Sequence, residues 1–238
     1  MKLLIIAGPA TTGKTSLCRH LIRKLQDAGE KVAFLKIDVQ FAEEDVELAV
    51  EFGIATRKIY SGELCPDHCN VMILGDALKW AEEKQANLLI VETAGLCLRC
   101  SPYVQNILGI VVLEATSGMN LPLKVGPMLS LSDIAVVTKI DRVSQAEREV
   151  FRARIQEVAP NVTIREVNAL YGIGIDPIIE EIHDSPEVAA AMTGGQLFLR
   201  GNPPVGTCTI CVGKKEVGWQ SHFGVVRSLE NQNFYRGQ

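Results

Sequence analysis

Residues 8–15 read Gly8-Pro9-Ala10-Thr11-Thr12-Gly13-Lys14-Thr15, and this stretch decides the fold. It follows MKLLIIA (1–7), an apolar run with the character of a buried first strand. It leads into TSLCRHLIRKLQDAG (15–29), where Leu17, Leu21, Ile22 and Leu25 fall on one face of a helix. Strand, glycine-rich turn and helix form the context of a phosphate-binding P-loop. Gly8 and Gly13 let the backbone curl so that successive N–H groups point inward at phosphate oxygens. Lys14 is then set to reach the β- and γ-phosphates, and the Thr15 hydroxyl to ligate Mg²⁺. Thr11, Thr12 and Ser16 complete the expected nucleotide-binding stretch, and the helix N-terminus adds a partial positive charge for the same anion.

The chain has 238 residues, 47% hydrophobic and 22% charged, the balance of a globular protein. That length allows one large α/β domain, or a domain with an appendage. A formal charge of −4 leaves no basic footprint and argues against nucleic-acid binding. No apolar run reaches the ~20 residues of a membrane span, and the N-terminus enters the first strand with no room for a signal peptide. A cytoplasmic protein is expected, in which the seven cysteines hold metal more readily than they form disulfides.

Two further motifs point to guanine nucleotides. LLIVETAG (88–95) is a buried strand ending in Glu92, an acid suited to hold a water on the nucleotide's Mg²⁺. Gly95 follows, with no side chain to keep its N–H from the γ-phosphate. IAVVTKIDRV (134–143) is a strand followed by Thr138-Lys139-Ile140-Asp141, a variant of the NKxD element. The Asp141 carboxylate can accept from N1–H and the exocyclic amine of guanine, a donor pair adenine lacks. The stem of Lys139 would cover the base. In TIREVNALYGIG (163–174), Asn168 and Ala169 begin a loop whose backbone N–H groups can meet guanine O6.

The order GPxxxGKT, ExxG, TKxD and a short alanine-containing loop resembles the SIMIBI-class P-loop GTPases that serve metalloenzymes: the urease and hydrogenase nickel-insertion GTPases and the cobalamin-linked group. The resemblance covers roughly residues 1–184, and the urease accessory GTPase is the nearest match. The P-loop lacks the extra lysine after its first glycine that marks the nitrogenase iron protein and partition ATPases. The resemblance implies that Asp38 positions the attacking water or Mg²⁺, so that Lys14, Asp38 and Glu92 form the catalytic set. It also matches Glu44 and Asp45 to a family acidic pair, and Cys65, Pro66 and His68 to a Cys-Pro-His metal motif. Here one residue separates Pro66 from His68, and Cys69 follows, so nickel does not carry over as the metal. A homodimer and a client metalloenzyme or accessory protein are further implications.

Strands are expected at 2–7, 31–37, 87–92, 109–115, 134–138 and 163–167, and helices at 14–28, 43–53, 70–84, 144–157 and 174–184. Their alternation gives a three-layer α/β P-loop NTPase fold with a mostly parallel sheet, its ligands beyond the strand C-termini. Residues 120–133 read as a loop or short helix. Residues 1–184 form the expected GTPase domain, and 185–238 a linker and a short cysteine-containing tail.

Six cysteines pair as Cys65-x3-Cys69, Cys97-x2-Cys100 and Cys208-x2-Cys211, and Cys18 reads as helix packing. The first pair is expected in the loop after the second strand, and the second pair just beyond Gly95, so both flank segments that sense the γ-phosphate. Such spacing suits zinc, nickel or an iron–sulfur cluster. The tail pair offers a second site or an interaction hook. Three functions stay open: a Mg²⁺-dependent GTPase that couples hydrolysis to metal delivery, a nucleotide-gated iron–sulfur electron-transfer protein, and a metal sensor or store whose conformation the nucleotide sets.

Overall fold

Strand β1 (Lys2–Ala7) buries both of its faces. Leu3, Ile5 and Ala7 enter one hydrophobic cluster, and Leu4 and Ile6 the other. Successive side chains of a strand point to opposite sides, so helices must cover both faces. The computed structural model describes residues 1–38, 43–61, 66–94, 100–202 and 215–218, and among them it has this three-layer form. The strands are β1, β2 (Val32–Asp38), β3 (Ala55–Tyr60), β4 (Leu88–Thr93), β5 (Leu108–Glu114), β6 (Ile134–Thr138) and β7 (Thr163–Glu166). They form one sheet in the order β3-β2-β4-β1-β5-β6-β7, every pairing parallel.

On one face lie α1 (Lys14–Asp27), Leu48 of α2 (Glu44–Phe52), and Ile178 and Ile182 of α7 (Asp176–Asp184). Cys18 is fully buried in this layer, as helix packing requires. On the other lie α3 (Pro66–Glu83), the short helices α4 (Leu121–Lys124) and α5 (Pro127–Ser130), α6 (Gln145–Val158), and α8 (Val188–Ala191). Helix α6 starts with a capping box in which Ser144 Oγ accepts from Glu147 N and the Glu147 carboxylate accepts from Ser144 N.

Strand β3 is an addition to the six expected strands. It reads ATRKIY and lies at the sheet edge, where only Ile59 is buried, so it lacks the apolar signature of an inner strand. Residues 120–133 resolve into α4 and α5, and α3 starts four residues before the expected helix at 70.

Described residues beyond 184 share the same core. Val188, Ala191, Leu197, Leu199 and Val217 join the cluster under α3 and α6. Arg200 anchors this segment: its guanidinium donates to Val104 O (3.0 Å), Leu131 O (2.8 Å), Ile107 O and both Asp133 oxygens (2.9 and 2.6 Å). No described helix is long and apolar enough to cross a membrane.

Arg200→Ala should destabilise the protein by about 2 kcal/mol, because it strands partly buried carbonyls and a carboxylate without their donor. A urea midpoint unchanged from wild type would show that Arg200 does not anchor the segment.

Candidate functional site

Parallel pairing carries the C-terminal ends of all the strands to one edge of the sheet, and the expected motifs meet there. The loop after β1 crosses close to β5. A Cβ added at Gly8 would lie 2.3 Å from Val112 O, so only glycine fits. Gly13 has φ +90° and caps α1 from the left-handed region. Thr11 also takes a positive φ, 64°, a strained geometry for a β-branched residue that nothing in the sequence announced. Thr12 Oγ1 donates to Pro9 O at 3.0 Å and braces the turn.

The Lys14 ammonium is buried inside the loop and donates to Gly8 O and Pro9 O, both at 2.9 Å. Burial lowers its pKa, and the nearby Glu92 charge partly offsets that. Thr15 Oγ1 donates to Glu92 Oε1 at 2.9 Å. Glu92 is itself 2% exposed, and its Oε2 is buried without a hydrogen-bond partner among the described residues. A buried ammonium resting on neutral carbonyls fits a phosphate, and an orphaned carboxylate oxygen beside the threonine hydroxyl fits a hydrated Mg²⁺.

Lys36, from β2, completes this end and was missed. Its Nζ lies 3.3 Å from Thr15 Oγ1, 3.5 Å from Glu92 Oε1, 3.9 Å from Asp38 Oδ2 and 3.3 Å from Glu44 Oε2. Burial would lower its pKa, but Glu92, Glu44 and Asp38 outweigh that and raise it. The available signal was a lysine inside the apolar run VAFLKID, at a position 4% exposed.

At the other end, Thr138 Oγ1 donates to Thr12 O at 2.6 Å and ties β6 to the loop. Lys139 has φ 56° and donates to Thr11 O at 3.0 Å and to Glu114. Burial pushes the Glu114 carboxyl up, but the bonds from Lys139 and Ser117 bring it below the usual range. A cavity of about 330 Å³ opens beside these groups, lined by Thr12, Gly13, Ser16, Thr138, Lys139, Asp141, Asn168 and Ala169 among others. Small-molecule sites begin near this size. Asn168 Oδ1 accepts from Leu170 N (3.1 Å) and Tyr171 N (3.2 Å), so its side chain shapes the loop. Phosphate loop, acidic strand end and TKxD element therefore share one continuous site.

The cysteines are placed less completely. Gly95, Cys65, Cys97, Cys208, Cys211 and the His68 side chain lie outside the described residues. Cys69 is not in the loop after β2, as expected, but in the first turns of α3, beyond the additional strand β3, and it is 2% exposed. Cys100 is half-buried. The start of α3 touches the segment after Cys100, since Asn70 Nδ2 donates to Pro102 O at 3.3 Å. Among the described residues no three His, Cys, Asp or Glu side chains gather as a metal site.

Comparison with known proteins agrees with this fold. Residues 2–166 match the family model described as CobW/HypB/UreG, nucleotide-binding domain. An uncharacterized protein of Methanocaldococcus jannaschii is 43% identical over 238 residues, all of both chains. A urease accessory protein UreG of Haloquadratum walsbyi is 26% identical over 194 residues, covering 76% of this chain and 93% of its own. The crystal structure of HypB from Helicobacter pylori in complex with nickel superposes with a TM-score of 0.62 at 18% identity. It covers 77% of this chain and 86% of that one, a likeness of fold.

Two glycines give opposite expectations. Gly8→Ala should cost about 1–3 kcal/mol, because the added methyl meets backbone that cannot move aside. Gly75→Ala, inside α3 with nothing within 4 Å of the added carbon, should gain roughly 0.5–1 kcal/mol. A Gly8→Ala denaturant midpoint at or above that of wild type would contradict the close approach at Gly8, and a fall for Gly75→Ala would contradict the open space there.

Proposed function

The chain belongs to the CobW/HypB/UreG family of P-loop nucleotide-binding domains, and on that footing we propose that it is a GTP hydrolase that drives metal delivery to, or maturation of, a client metalloenzyme. The observation that carries the reading is the continuity of the site: the phosphate loop bonds Glu92 through Thr15 and Thr138 through Thr12, and Thr12 and Gly13 line the cavity that Asp141 also lines. The loop N–H groups and Lys14 hold the phosphates. Asp141 selects the base through two guanine donors, Lys139 covers it, and the loop at Asn168 and Ala169 closes over O6. Thr15 and Asp38 would hold Mg²⁺, with Glu92 bonded to the Thr15 hydroxyl, and the ion would supply neutralising charge to the phosphate oxygens. Asp38 orients the attacking water, and Gly95 senses the γ-phosphate.

The transported metal, nickel or zinc, is the cargo in this reading, and Cys65, Cys69, Cys97 and Cys100 are its ligands. Support comes from the Asn70–Pro102 contact, which joins the segments that carry Cys69 and Cys100. The names of relatives point the same way: one is a urease accessory protein and another was solved with nickel. A cytoplasmic homodimer suits this role, with Cys208 and Cys211 available as a second metal site.

GTP should bind more tightly than ATP by roughly 30- to 1,000-fold, because adenine leaves the Asp141 carboxylate unpaired. Calorimetry should show that preference lost in Asp141→Asn, and all tight binding lost in Lys14→Ala. Equal affinities for the two nucleotides in wild type would reject guanine specificity.

Nucleotide and metal must change each other's affinity by the same factor if the cysteines ride on the switch segments. Metal affinity should therefore differ about tenfold between GDP and a GTP analogue, and the difference should vanish in the Cys97→Ala/Cys100→Ala double variant. Identical metal affinity in both nucleotide states would reduce the cysteines to a structural site. An anaerobic preparation with broad visible absorption would favour iron–sulfur chemistry instead.

A further inference from the structure

The Mg²⁺ end of the site already holds a cation of its own. Lys36 Nζ sits among oxygens from four separate elements: Thr15 of α1, Glu44 of α2, Asp38 of β2 and Glu92 of β4. Glu92 is almost fully buried with Lys36 Nζ 3.5 Å from its Oε1, and an enclosed charge is tolerated beside an opposite one. Lys36 is equally enclosed, so the ammonium and the carboxylates depend on each other. Thr15 Oγ1 takes part in the same cluster, since it donates to Glu92 and accepts from Lys36. The hydroxyl and the acids needed for a hydrated divalent cation are thus gathered around a lysine.

We propose that Lys36 is a tethered counter-cation, which keeps the Thr15, Asp38, Glu44 and Glu92 oxygens assembled in the nucleotide-free protein and must give them up when Mg²⁺ enters with nucleotide. This rests on the nucleotide reading above and adds a residue to it. Two cations close to one hydroxyl repel each other, so the ammonium excludes free Mg²⁺. Phosphate oxygens bring negative charge that tips the exchange, which makes metal entry conditional on nucleotide. Glu44 links the exchange to α2: once the ammonium moves, the ion pair that ties α2 to the site at 3.3 Å is released or redirected. Lys36 is a positioning residue, since it acts through the oxygens that would meet the metal.

The test compares wild type with Lys36→Met, which keeps the length of the stem and removes the charge, and with Lys36→Gln, which keeps a donor for the same oxygens. Lys36→Arg serves as the charge-retaining control. Thermal melting is measured with and without millimolar Mg²⁺ in the absence of nucleotide, and the Mg²⁺ needed for binding a fluorescent GTP analogue is titrated separately. Wild type should melt at the same temperature with or without Mg²⁺. Lys36→Met should melt lower without Mg²⁺ and recover with it, and should need about tenfold less Mg²⁺ to bind the analogue. Lys36→Gln should shift the same way, and Lys36→Arg should behave as wild type. If Lys36→Met does not fold, Lys36→Gln decides the matter by the same two measurements. The same Mg²⁺ response in wild type and neutral variants would overturn the role of Lys36 while leaving nucleotide binding intact. A wild type that binds no analogue at any Mg²⁺ concentration would overturn the nucleotide reading itself.

Discussion

Strand β1 has to bury apolar side chains on both faces, and the rest of the molecule follows from that requirement. Leu3 and Ile5 face one layer of helices and Leu4 and Ile6 the other. A parallel sheet with helices on both sides satisfies both faces at once, and every described strand pairing is parallel. In such a sheet β1 lies between β4 and β5, where the chain path changes direction. The loop that leaves it therefore opens into a crevice bounded by neighbouring strand ends. Gly8 lies so close to Val112 O because β5 runs directly alongside.

That crevice contains charges that a hydrophobic core could not otherwise hold. Lys14, Lys36 and Glu92 are all enclosed. Each is tolerated because its neighbours compensate it: loop carbonyls for Lys14, and the set of Thr15, Asp38, Glu44 and Glu92 for Lys36. Such groups add little net stability. They hold a polar site in shape, ready to exchange internal partners for phosphate and metal. At the base end, Thr138 and Lys139 bond to the carbonyls of Thr12 and Thr11, so the base cavity and the phosphate loop are mechanically one unit.

What could be read from the residues depended on how local the signal was. The phosphate loop is contiguous, with a glycine where a side chain would meet Val112 O and another where φ is +90°, and it was legible outright. Inner strands are short apolar runs and were legible for the same reason. Strand β3 was not, because an edge strand carrying Arg57 and Lys58 has one fully buried side chain and gives no periodic pattern. The position of Cys69 was misjudged through that omission: without β3, the segment before α3 read as one long loop after β2.

The amino-acid sequence by itself determined the α/β class, the order of the elements apart from β3, and the nucleotide motifs, since each rests on neighbours within about ten residues of one another. Tertiary structure alone decided which side chains share the site. Lys36 is separated along the chain by 21 residues from the Thr15 hydroxyl it meets, and Thr15 by 77 from Glu92. Arg200 likewise closes on Asp133 across 67 residues, and so draws a segment without any strong pattern of its own into the core. Charge pairs of this kind depend on side chains that only the packed sheet brings within a few ångströms, and no local periodicity encodes them.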